Sequence, residues 1–171
     1  YGPNMALLEV VMADSATSVE ALLMEAKAAA SRTGNDIYLL IRVGDYLMNR
    51  ELIGPSGVFY RMAFEAEPPS IEMDHEAFRH TYRNSRENVD RQRAMAAMQL
   101  SYVEGMAGKV EAAIGYARRA VELAPEMPEA YLNLYGGYVA TGRMVAADSV
   151  LQEAAKRFPG DPNVQGLLRK R

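Results

Sequence analysis

The second half of the chain repeats itself every 34 residues, and few folds tolerate such a period. Leu100 and Leu134, Gly108 and Gly142, Ala113 and Ala147, Ala120 and Ala154, and Pro125 and Pro159 all stand 34 apart. A fixed period of this length marks stacked supersecondary units, each too small to bury its own apolar face. Between the anchors the spacing is helical: Met98, Leu100, Val103 and Ala107, then a glycine, then Val110, Ala113, Ile114, Tyr116, Ala117 and Ala120, then a proline. Each unit therefore reads as helix, turn, helix, stop. Alanines at Ala113, Ala120, Ala147 and Ala154 leave room for two helices to cross closely, and Gly108 and Gly142 accept the backbone angles of a tight reversal. Stability of such a stack calls for at least about three units.

The segments "AMQLSYVEGMAGKVEAAIGYARRAVELAP" and "EAYLNLYGGYVATGRMVAADSVLQEAAKRFP" resemble the tetratricopeptide repeat family. The second carries Tyr131, Leu134, Tyr138, Gly142, Ala147, Ala154 and Pro159 at the family's positions. The first departs at Ala97, Glu104 and Ala117, where the family favours larger apolar or aromatic residues, so neighbouring side chains are expected to fill that space. The resemblance implies an all-α fold, a right-handed solenoid of antiparallel helix pairs with three to four repeats and an inserted helix. Upstream, Val43, Ser56, Ala63 and Pro68 precede Leu100, Ala113, Ala120 and Pro125 by a constant 57, one period of 34 plus 23. Residues 37–70 thus read as a degenerate repeat, with Gly44 at the crossing, Tyr60 filling the groove, Glu51 in place of the turn glycine and Pro55 in the first turn of the second helix, where proline is tolerated. Residues 3–36 read as a further faded pair, with Met5, Leu8, Val11 and Met12 on one helix and Val19, Leu22, Leu23, Ala26 and Ala30 on the next. Ser15 or Ser18 can cap that second helix, Ser18 being favoured because the pattern starts just after it. The organisation expected is one domain: the pair at 3–36, repeats at 37–70, 94–127 and 128–161, an insertion at 71–93, and a cap at 162–171.

The insertion is the least repeat-like stretch. Phe78, Tyr82 and Val89 fall on one side of a helix that can run on into the next repeat, and the rest is polar. It reads either as a solvent-facing spacer or as an added binding element. Arg79, Arg83 and Arg86 share a side at helical spacing, which makes them a second candidate surface suited to an acidic partner protein. A formal net charge of -3 and a pI near 5.5 speak against nucleic acid as the partner.

Signals of chemistry are weak throughout. With no cysteine there is no thiolate nucleophile and no cysteine-bound zinc. His75 and His80, the two histidines, are five apart and do not share a helix face, so no metal site is expected. Glu65, Glu67 and Glu72 flank a proline-rich turn rather than forming a buried acid–base pair. The glycines of "YGGY" at 135–138 fall inside a helix, where they are expected to admit a neighbouring helix rather than a phosphate. Neither enzymatic activity nor a cofactor is expected. The longest apolar stretches are too short to span a bilayer, so direct membrane insertion by this piece is not expected either. The chain begins at Tyr1 and reads as a fragment, cytoplasmic or attached to an anchor outside the sequence.

In this family partners are held on the concave surface made by the first helix of each repeat. By resemblance that surface comprises Tyr38, Ile41, Arg42, Asp45 and Asn49, then Met95, Met98, Gln99, Tyr102 and Met106, then Glu129, Leu132, Asn133 and Gly136. Family members that grip acidic chaperone tails use cationic residues where Met98 and Leu132 stand here, with Asn133 alone matching, so that partner is disfavoured. A soft, methionine-rich surface suits an apolar helix or extended segment; the alternative is that several of these methionines complete the core against the insertion. The function implied is a protein–protein interaction scaffold or adaptor in a multiprotein assembly. The competing reading is a homo-oligomerising structural module of a bacterial envelope, secretion or exopolysaccharide-export machine.

Overall fold

A computed structural model describes residues 18–32, 37–66 and 86–170, and all regular structure among them is helical. The helices are α1 (Val19–Arg32), α2 (Ile37–Asn49), α3 (Ile53–Glu65), α4 (Arg86–Met106), α5 (Val110–Leu123), α6 (Pro128–Ala140), α7 (Met144–Arg157) and α8 (Pro162–Arg169). They divide between two compact units, residues 1–69 and 70–171. The expected helix over Met5, Leu8, Val11 and Met12, and Phe78, Tyr82, His75, His80, Arg79 and Arg83 of the insertion, lie outside the described residues.

In the first unit the apolar spacing of α2 puts Leu39, Leu40, Val43 and Leu47 in the core with Phe59, Tyr60 and Ala63 of α3. Gly44 is required by this crossing: a Cβ there would sit 2.6 Å from Cε1 of the Tyr60 ring. The buried Tyr60 hydroxyl donates to Asp45 Oδ1 at 2.6 Å. Burial, reinforced by the hydrogen bond and negative charge of Asp45, holds the Tyr60 phenol well above its ordinary pKa. Ser18 caps α1, its Oγ accepting from the Ala21 N–H at 3.2 Å.

Three helix reversals share one geometry. Glu51, Gly108 and Gly142 have φ of 63°, 75° and 70° respectively. The following N–H groups reach back across the helix end, Leu52 to the Leu47 carbonyl, Lys109 to Glu104 and Arg143 to Tyr138, each at 2.9 Å. These are αL-terminated Schellman turns. Glu51 occupies the left-handed position 57 residues before Gly108, so the α2–α3 reversal makes the turn without a glycine.

In the second unit, α4 with α5 and α6 with α7 form helix pairs. α5 also packs on α6, α8 on α7, and α4 touches α6 directly. Ile114, Ala117, Leu134, Tyr138 and Ala147 form one apolar cluster, and Tyr131, Leu151, Ala154 and Val164 another. Ala120, Ala147 and Ala154 are fully buried, as close crossing requires, whereas Ala113 is only half-buried. Pro128 and Pro162 open α6 and α8 at the first turn. Asp161 caps α8, accepting from the Asn163 and Val164 N–H groups at 3.0 and 2.9 Å. The edge-to-face pair of Tyr131 and Phe158, with centroids 5.5 Å apart, seals the end beneath Leu167 and Leu168. Helix α4 is unbroken from residue 86, so the last part of the inserted segment is continuous with the first helix of the repeat.

Candidate functional site

Helix α4 is two-sided. Ala94, Ala97, Leu100, Ser101 and Glu104 are buried, while Met95 (39% exposed), Tyr102 (50%) and Met106 (60%) run along its other side with the half-buried Met98 and Gln99. Spacings of three and four residues put Met95, Met98, Tyr102 and Met106 on one stripe. Exposed apolar residues in a row mark a surface built for contact more than an isolated one does.

The stripe borders an open groove of about 480 Å³, lined by Arg91, Met95 and Met98 of α4 and by Glu126, Met127, Pro128 and Glu129 at the start of α6. Met127 brings a third thioether to this groove. It lies in the connection between repeats and carries no helical pattern; only its place before an N1 proline signals it. The rim is closed by Arg91 Nη2 and Glu126 Oε1, 3.2 Å apart, a half-exposed ion pair worth at most about 1 kcal/mol. The groove is thus apolar in its floor, and its edge carries one guanidinium, Arg91, against two carboxylates, Glu126 and Glu129.

The 34-residue register makes Met95 equivalent to Glu129, Met98 to Leu132, Gln99 to Asn133 and Tyr102 to Gly136. Leu132 leans into the core. Asn133 is partly exposed, but its Oδ1 is sealed from solvent with no hydrogen-bond partner. Gly136 does not do what the sequence led us to expect. Nothing lies within 4 Å of the place where its Cβ would be, so no helix packs against it, and Gly137 alone meets a neighbour, Ile114, at ordinary contact distance.

The remaining candidate residues are on α2, in the other unit. Ile41 belongs to the core, Tyr38 is half-buried, and Arg42, Asp45 and Asn49 are exposed. Asp45 is held by the Tyr60 hydroxyl. Of the basic candidates, Arg79 and Arg83 lie outside the described residues, and Arg86 opens α4 with its side chain outside them.

A smaller cleft of about 260 Å³ lies among α5, α6 and α7, lined by Val121, Tyr131, Leu134, Ser149, Val150 and Glu153. Among the described residues no group of three His, Cys, Asp or Glu could hold a metal ion, and no helix is long and apolar enough to cross a membrane.

Comparison with known proteins bears on the second unit. Residues 106–170 match the sequence profile of the tetratricopeptide repeat family. No curated protein matches the chain. Among solved structures, a thermophilic TPR protein of Thermus thermophilus, TTC0263, is 16% identical over 98% of this chain and 97% of its own, with a TM-score of 0.43. MamA is 15% identical over 81% of this chain and 87% of its own, at 0.36. MamA from residue 41 onward, from Desulfovibrio magneticus RS-1, is 16% identical over 94% and 98%, at 0.39. With the period, the paired helices and the glycine turns at 108 and 142 all in the matched register, residues 106–170 are tetratricopeptide repeats.

Proposed function

We propose that the chain is a scaffold that holds an apolar segment of a partner protein against the α4–α6 face, as part of a multiprotein assembly. The observation that carries this reading is the stripe of Met95, Met98, Tyr102 and Met106 beside the open groove. Methionine and tyrosine there offer apolar area with adaptable shape. The family match of residues 106–170 supports a protein-binding role over a catalytic one.

The test is capture of partners from the source cell, identification by mass spectrometry, and titration of the recovered protein. Met98→Glu with Tyr102→Ala should weaken binding by about 2 kcal/mol or more, as for a small hot-spot cluster, at any salt. If Arg79→Glu with Arg83→Glu is the damaging pair instead, and its effect fades as salt shortens the screening length to about 10 Å or less, the arginines of the inserted segment are the site.

A second reading, self-association, is favoured by a separate apolar edge. Val110 at the start of α5 and Met144 and Val145 at the start of α7 are 40%, 51% and 84% exposed. Arg143 is ion-paired with Glu111, which ties these two helix starts together. Sedimentation of the parent and of Val145→Glu separates the readings: only self-association predicts a larger species that the variant loses.

A further inference from the structure

The cleft of about 260 Å³ among α5, α6 and α7 is separate from the α4 stripe, since no residue of α4 lines it. The buried Tyr131 and Leu134 lie deepest in it, the half-buried Val121 and Val150 form its walls, and the exposed Ser149 and Glu153 stand at its mouth. A cavity of about 150 Å³ admits benzene, so this one has room for a side chain the size of leucine or phenylalanine. Apolar size alone does not say what enters. The polar groups that line the cleft do, because each of them presents an acceptor. Ser149 donates its hydroxyl proton to the Val145 carbonyl at 3.1 Å, and Tyr131 donates its own to the Pro125 carbonyl at 3.4 Å. Glu153 is acceptor-only, and its Oε1 takes the Arg157 Nε–H at 2.9 Å, with no donor among the described residues on Oε2. Arg157 also stands over the Tyr131 ring, 5.9 Å from its centroid, so one cation of the chain already rests on this ring and this carboxylate.

An acceptor-lined mouth over an apolar floor selects a donor carried beside an apolar group. We propose that the cleft binds the N-terminal residue of a partner chain, its apolar side chain against Tyr131 and Leu134 and its α-ammonium shared between Glu153 Oε2 and Ser149 Oγ. An N-terminal residue bears charge and side chain on the same carbon, so the ammonium stays at the wet rim while the side chain goes down. A lysine bears its charge at the far tip and would have to bury it to fill the same space. A C-terminal residue would set its carboxylate against Glu153. The formal net charge of -3 favours the approach of a cationic end. This site is additional to the α4–α6 face and does not depend on it.

The probe is a series of synthetic heptapeptides with a glycine–serine tail and leucine, phenylalanine, serine or glutamate as the N-terminal residue. Each is titrated into the full chain labelled with nitrogen-15, and Kd is read from the amide shifts. Leucine and phenylalanine should move the amides of Ser149, Val150 and Glu153. N-acetylation should weaken binding about tenfold, as for a lost hydrogen bond to a charged group, and serine or glutamate at the N-terminus should weaken it at least as much. Glu153→Gln should make free and acetylated peptides bind alike. Arg157→Gln, which releases Glu153 from its internal cation, should tighten binding by up to about fivefold. Met98→Glu with Tyr102→Ala should leave Kd unchanged. Acetylation needs no variant, so acetylated peptides that bind as tightly as free ones overturn the proposal outright. Shifts confined to α4 and the start of α6, or an equal loss in Glu153→Gln and Arg157→Gln, overturn it as well. If phenethylamine moves the α7 amides with the same dependence on Glu153 while no peptide does, the occupant is a free amine and the assignment to a chain end is wrong.

Discussion

Replacing Glu51 by glycine should make the first unit more stable, although the side chain removed is charged and the residue introduced is the most flexible. Glu51 has φ of 63° and ends α2, with its N–H bonded to the Met48 carbonyl and that of Leu52 to Leu47, both at 2.9 Å. A left-handed conformation costs an L-residue roughly 1–2 kcal/mol, whereas glycine adopts it freely. Glycine also enlarges the entropy of the unfolded chain, which offsets about 0.4–1 kcal/mol of that gain. The Glu51 side chain is exposed, so little contact is lost. The net expectation is a gain of roughly 0.5–1 kcal/mol, which for a unit of this size raises the thermal midpoint by about 2–8 °C. Circular dichroism melts of the parent, Glu51→Gly and Glu51→Ala measure it. Glu51→Ala, which removes the same charge but keeps the strained angle, should stay near the parent. If alanine stabilised as much as glycine, the gain would come from the lost carboxylate and the left-handed turn would not be the cause. A fall for Glu51→Gly would show that the turn does not form at this residue.

Gly44→Ala should destabilise by about 1–3 kcal/mol in urea melts, because the added Cβ falls 2.6 Å from the Tyr60 ring and the crossing must open. Ala147→Trp or Ala154→Trp should cost several times more than Gln152→Trp, since the alanines are fully buried and Gln152 is exposed on the same helix; equal shifts would refute the repeat register. The raised pKa of Tyr60 means that the folded state holds its proton more tightly than the unfolded state does, so its contribution is complete below the ordinary phenol pKa of about 10 and is lost as pH rises beyond it. Urea midpoints above that pH should therefore fall more steeply for the parent than for Tyr60→Phe; parallel slopes would contradict the assignment.

Most of the second unit could be read from the chain because its constraints are local and repeated. A glycine with positive φ, a buried alanine at a crossing and a proline at the first turn each leave a mark at one position, and the mark recurs 34 residues on. The reversal between α2 and α3 was legible for the same reason: the offset of 57 carries Glu51 onto Gly108, and the turn forms because Schellman hydrogen bonds and the packed pair outweigh the strain of one non-glycine residue. Departures from the pattern were legible as departures but not in their solution. Glu104 stands where Tyr138 supplies an aromatic one period later. Its carboxylate stays buried and pairs with Lys109 Nζ at 3.3 Å, while Tyr138 takes a hydrogen bond from Arg118 Nε at 2.9 Å. A position that holds bulk in one repeat thus accepts a charge in the one before, where a cation reaches it from the turn that follows.

The candidate site was less legible, because a binding surface is defined by what the fold leaves unsatisfied, and periodicity reports what it satisfies. Met95, Tyr102 and Met106 follow the same helical spacing as core residues, and only their exposure separates them from Leu100 on the other side of α4. Met127 has no periodic partner and enters the groove through a connection. Gly136 and Gly137 are adjacent and chemically identical, yet one lies against Ile114 and the other faces open space, a difference of one residue in helical phase that composition cannot express. Asn133 would pass as an ordinary polar residue were its Oδ1 not closed off without a donor. A closed-off acceptor costs about 1–3 kcal/mol and an open helical glycine about 0.5–1 kcal/mol, so the α4–α6 face carries a local deficit that packing within the chain does not repay.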